Sequence, residues 1–128
     1  MKRIITVLLI IFTLTLFGCT PYTSSYRAVG YVHSNTHKHV VMSFYEFTGT
    51  QAFDLNAKDG ECIKYTAKLE TGKADVYYDC GEGKVLLFTV NGGDEFSGQS
   101  DALRKGKAYL IVETDGKCSN GAFEYTVE

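Results

Sequence analysis

The 128-residue chain has no tryptophan, a single proline (Pro21) and only three histidines. It has no excess of base, since 13 Lys and Arg stand against 15 Asp and Glu. Without a basic excess there is no electrostatic footprint for nucleic acid, and none is expected as a partner. Beyond the first 17 residues no stretch repeats apolar residues at helical spacing over a useful length, which argues against a helical bundle. No Cys-x-x-Cys pair occurs, so zinc-ribbon chemistry has weak support. Gly-x-Ser-x-Gly and a phosphate-binding glycine loop are absent, and local sequence sets no Ser or Cys beside a His. No catalytic residue can be assigned, and the chain is not expected to be an enzyme.

What is present favours strands. There are nine Tyr, eight Phe and 13 Gly. Aromatic and β-branched residues suit a pleated, half-buried surface, and glycine supplies the turns.

The N-terminus has its own composition. Met1-Lys2-Arg3 is a short basic region, and residues 4–17 are apolar except for Thr6, Thr13 and Thr15. That layout is a secretory signal, with a run too short to span a bilayer comfortably. It ends in Leu16-Phe17-Gly18-Cys19, which resembles a bacterial lipoprotein lipobox, with Leu at −3, a small residue at −1 and Cys first in the mature chain. The resemblance covers only residues 1–19. It implies cleavage before Cys19, a diacylglycerol on the Cys19 sulfur, and an added acyl chain such as palmitate on the new amino group. Two or three acyl chains anchor firmly where one would not, at roughly 0.8 kcal/mol per buried methylene. The expected location is the cell membrane or outer membrane, on the extracytoplasmic side. Lys2 and Arg3 leave with the signal, so the mature chain keeps every acid, two fewer bases and a formal charge of −4. Attachment therefore rests on the lipid and not on attraction to anionic headgroups.

The remaining 110 residues are one domain's worth. Residues 19–36 read as the lipidated cysteine and a tether, with a peripheral strand possible over residues 26–32. Residues 37–128 read as the domain. Val41, Ser43, Tyr45 and Phe47 alternate with Val40, Met42, Phe44 and Glu46, so both faces read as largely apolar, as in a strand covered on two sides, and Thr48-Gly49-Thr50 turns the chain into Phe53, Leu55 and Ala57. Ile63, Tyr65, Ala67 and Leu69 form another apolar set, and Thr71-Gly72 leads to Ala74, Val76, Tyr78 and Cys80. A two-residue turn there would set Tyr65 opposite Tyr78. Residues 85–90 are almost wholly apolar and read as a central strand. Residues 91–106 read as the longest irregular stretch, with Ser100 capping one helical turn. Residues 107–114 and the set Phe123, Tyr125 and Val127 complete about seven strands. The expected fold class is all-β, a single antiparallel β-sandwich, with a small β-barrel as the alternative.

Four groups of residues could carry chemistry or binding. Up-and-down alternation of these strands would gather Cys62, Cys80 and Cys118 at one end, where one disulfide is the default outside the cytoplasm. The pairing stays open, although Cys80 inward and Cys62 outward disfavours that pair. His33, His37 and His39 could hold zinc or copper, because His37 and His39 share a face of an extended strand. The acids Asp59, Glu61, Asp79, Glu82 and Asp115 would gather near the cysteines as a calcium site or, more simply, as solvated turns. Tyr45, Tyr77, Tyr78 and Tyr109 could line a binding face. The leading expectation is a non-catalytic envelope module that binds a protein or glycan, through residues 91–105 or an exposed tyrosine face. The alternative is a metal-binding lipoprotein. No other cofactor is expected.

Overall fold

The computed structural model describes residues 22–128. The signal segment, the lipobox and Cys19 lie outside the described residues. Nine strands follow: β1 (Ser25–Val29), β2 (Val32–Asn35), β3 (His39–Ala57), β4 (Ile63–Thr71), β5 (Lys73–Asp79), β6 (Val85–Asn91), β7 (Glu95–Gln99), β8 (Gly106–Thr114) and β9 (Cys118–Val127). Every pairing is antiparallel, in the order β6-β5-β8-β3-β9-β4-β7, with β1 and β2 also on β3. The all-β sandwich expected from the sequence is the fold found.

The long strand β3 makes the sandwich. Its first half pairs with β9 and its second half with β8. Between them the chain arches over at Gly49, whose φ of 130° is glycine territory. A Cβ at Gly49 would lie 2.3 Å from the Ser25 carbonyl oxygen. The arch folds one continuous sheet into two layers. The first holds β2, the first half of β3, β9, β4 and β7. The second holds the other half of β3, β8, β5 and β6. The side-chain phase also changes along β3: Val40, Met42 and Phe44 are buried, then Phe47, Phe53 and Leu55. β9 slips with it at Asn120, whose φ is 50°. Gly121 lies under the Phe44 ring, where a Cβ would come within 2.3 Å of the ring.

The core is an aromatic chain between the layers. Tyr65 of β4 stacks on Phe88 of β6 at 4.5 Å, and Phe88 continues to Phe123 and Tyr125 of β9. Phe123 passes to Phe44, and Phe44 to Phe47. Aromatic burial of this kind dominates core energetics.

Several expectations need correction. β4 and β5 are not a hairpin, because each enters a different layer. Tyr65 therefore pairs with Tyr125 and Gly98, while Tyr78 pairs with Leu110 and Val85. β6 is an edge strand, not a central one, which leaves Val85 and Leu86 exposed. Residues 91–105 are not one irregular loop, since β7 runs through them along β4. Ser100 caps no helix; its hydroxyl accepts the Ile63 N–H at 2.8 Å and donates to the Asp101 carbonyl. Residues 25–35 are not tether, because β1 and β2 pair with β3 and belong to the domain.

Candidate functional site

The outer faces of the two layers differ. On the second layer, residues 22–24 cross the sheet. The Tyr22 hydroxyl donates to Asp79 at 2.7 Å, and its ring tilts against Tyr109. Ser24 Oγ accepts from the Ala52 N–H at 2.9 Å and from the Gln51 amide at 3.0 Å. The Gln51 amide oxygen in turn accepts from Tyr31. Between these fastenings lies Ile111, paired with Ala52 on one side and Tyr77 on the other. By register it faces outward, yet it is only 1% exposed and stands outside the main core cluster.

On the first layer, nothing among the described residues covers an apolar group near the arch. Val29 and Val32 sit opposite Glu46 and Ser43 of β3, and Tyr45 lies between. A Cβ at Gly30 would rest 3.2 Å from the Tyr45 Cβ, so the bend between β1 and β2 brings the three side chains together. They are 54%, 68% and 58% exposed. Val41, half-buried, adjoins them across Ser34. Polar pairs rim the patch: the Lys117–Glu46 ion pair at 3.5 Å, and a hydrogen bond between His39 and Glu124 at 2.6 Å. Further along the same face, a shallow groove of about 500 Å³ runs between β4, β7 and β9. Its lining is polar, including Lys64, Thr66, Ser97, Gln99 and Glu124.

The predicted site residues are scattered. The His33 ring packs on Tyr31 and Phe53, His37 Nδ1 faces the Asn56 amide, and His39 binds Glu124. The three imidazoles therefore do not converge, and among the described residues no group of three or more His, Cys, Asp or Glu is placed to hold a metal. Cys118 lies at the opposite end from Cys62 and Cys80, against Gly72. The strand β7 adds one reversal of direction, which moves Cys118 across the molecule. Its thiol donates to the Lys73 carbonyl, and burial pushes its pKa up, so it is held as an unreactive thiol. Cys62 and Cys80 remain at one end, and all three thiols are free.

The acidic cluster divides in the same way. Glu61 binds Lys38 and the Lys58 N–H, Glu82 pairs with Arg104, and Asp59 accepts the Lys105 N–H. Asp115 sits at the far end, where its N–H bonds to the Lys73 carbonyl. The tyrosines do not share a face: Tyr78 is buried, Tyr77 and Tyr109 belong to the second layer, and Tyr45 to the first. Sequence reasoning singled out Tyr45 but missed Val29 and Val32, because nothing local shows that the β1–β2 bend aligns them.

No protein-family model matches the chain, and no curated protein matches it in sequence. Solved structures resemble it in fold. The periplasmic inhibitor of g-type lysozyme from Aeromonas hydrophila aligns with a TM-score of 0.51 at 15% identity, over 72% of this chain and 88% of that one. A carbohydrate-binding module in complex with β-1,4-galactotriose aligns at 0.48 and 13% identity, over 85% and 88%. The pre-peptidase C-terminal domain of a Bacillus anthracis collagenase aligns at 0.47 and 14% identity, over 74% and 91%. The first of these likenesses supports the all-β fold.

Proposed function

We propose that the protein is a lipid-anchored envelope lipoprotein whose β-sandwich binds another envelope protein without catalysing a reaction. The observation that carries the binding half is the patch of Val29, Val32 and Tyr45. Large apolar side chains exposed together and rimmed by polar groups mark an interaction surface. Its make-up, a tyrosine with apolar neighbours inside a polar rim, matches the anatomy of a protein interface. The carboxylates and imidazoles expected to do chemistry are tied up in surface pairs and turns, which supports a binding role over catalysis. The anchoring half rests on the lipobox resemblance at Cys19.

Two experiments test the two halves separately. Cys19→Ser should move the protein from the membrane to the soluble fraction; retention on membranes would refute the anchor. Cross-linking on intact cells should give a discrete adduct that disappears with Val32→Asp and with Tyr45→Ala. An adduct unchanged by both substitutions would place binding elsewhere.

A further inference from the structure

Three peptide steps separate Cys19 from Tyr22. A fully extended chain covers at most about 3.6 Å per residue, so the anchored cysteine lies within roughly 11 Å of Tyr22. Tyr22 is not part of a loose tether. It lies across the second layer, fastened to Asp79 and packed on Tyr109. The anchor therefore fixes which side of the domain meets the membrane.

Of the carboxylates on that side, two are ion-paired and two accept hydrogen bonds from hydroxyls. Asp54 faces Lys107 at 3.7 Å, Glu113 binds Lys84 at 2.6 Å, Asp75 accepts from Thr89 at 2.6 Å, and Asp79 accepts from Tyr22. Lys84 also lies 4.2 Å above the Tyr77 ring. Beside Tyr77, the edge strand β6 leaves Leu86 exposed, at 52%. An exposed leucine on a face whose carboxylates are held by partners on that face is suited to the headgroup boundary of a bilayer.

We infer that the outer face of the second layer is a membrane-contact surface, with Leu86 entering the interface of the bilayer that holds the protein's own lipid. This rests on the lipoprotein reading given above. In this orientation the Val29–Val32–Tyr45 patch, on the other layer and toward its opposite end, points away from the membrane.

The absence of tryptophan supplies the test. The full-length lipidated protein is reconstituted into phosphatidylcholine vesicles as Leu86→Trp and, separately, as Tyr45→Trp. The Leu86→Trp emission should shift to the blue and be quenched several-fold more by brominated lipid than that of Tyr45→Trp. Adding Tyr22→Phe and Asp79→Asn to Leu86→Trp should weaken the quenching, because the fastening then no longer sets the tilt. Vesicles that carry the protein while Leu86→Trp stays unquenched, or while both probes are quenched alike, overturn the contact surface and leave the anchor standing. Protein that does not float with the vesicles overturns both.

Discussion

The two outer faces of the sandwich received different treatment from the same chain. Residues 22–24 cross the second layer and close Ile111 from water, while on the first layer Val29, Val32 and Tyr45 stay open. Both faces carry apolar residues on strands, so hydrophobicity alone does not tell them apart. What differs is whether another segment of the chain supplies the cover. A covered residue adds to stability, whereas an open one is available to a partner.

Truncating one residue of each kind exposes the difference most strongly. Ile111→Ala should cost about 2–4 kcal/mol, as in a core, because it leaves a cavity beneath residues 22–24. Val32→Ala should stay within about 0.5 kcal/mol, as for an ordinary surface site. Urea unfolding of both variants measures the gap, and equal costs would dissolve the distinction between the faces. The next largest effect should come from the arch that joins the layers. Gly49→Ala combines positive φ with a clash against Ser25, and should cost about 2 kcal/mol or more. Hydrogen exchange should locate the loss in β1.

The fastening itself should be weaker and dependent on pH. Tyr22→Phe should cost about 1 kcal/mol or less, since the bond is near the surface. The hydroxyl of Tyr22 is pushed up to about 12, first by its hydrogen bond to Asp79. A raised folded pKa means this contribution is fully present below the ordinary tyrosine value near 10 and fades as pH rises through about 12. Asp79 is held below the usual carboxylate range, first by Tyr22 and then by the Gly81 N–H. Its contribution is therefore present above the ordinary Asp value of about 3.9 and is lost as pH falls through the lower folded value. A Tyr22→Phe variant should show a flatter stability profile at both extremes. The smallest effect is expected at Tyr125, whose fully buried hydroxyl has no hydrogen-bond partner among the described residues. Tyr125→Phe should be neutral or slightly stabilising, because it removes an unpaired polar group and keeps the ring; a loss above about 1 kcal/mol would contradict that reading.

Local alternation made much of the core legible in advance. Phe53, Leu55, Ala74, Val76, Phe123 and Tyr125 all face inward, because period-2 patterning and burial are one constraint, whereas in residues 40–47 both faces look apolar and only Val40, Met42, Phe44 and Phe47 are buried. Strand partnership was not legible. Thr71-Gly72 has the composition of a hairpin turn, yet it carries the chain from one layer to the other. Short polar β7, with Phe96 as its only large apolar residue, gave no strand signal. Missing it reversed the direction of everything downstream and misplaced Cys118. The open patch was half legible. Tyr45 stood out as a tyrosine of the strand, but Val29 and Val32 join it only through β1 and β2 pairing with β3.

The most direct test of the open face is site-specific photo-cross-linking in intact cells. A photoreactive phenylalanine analogue replaces Tyr45 in one strain and Lys68, on the polar part of the same face, in another. The account predicts a discrete protein adduct from position 45 that Val32→Asp abolishes, and none of that size from position 68. No adduct from position 45, or the same adduct from both positions, would contradict it.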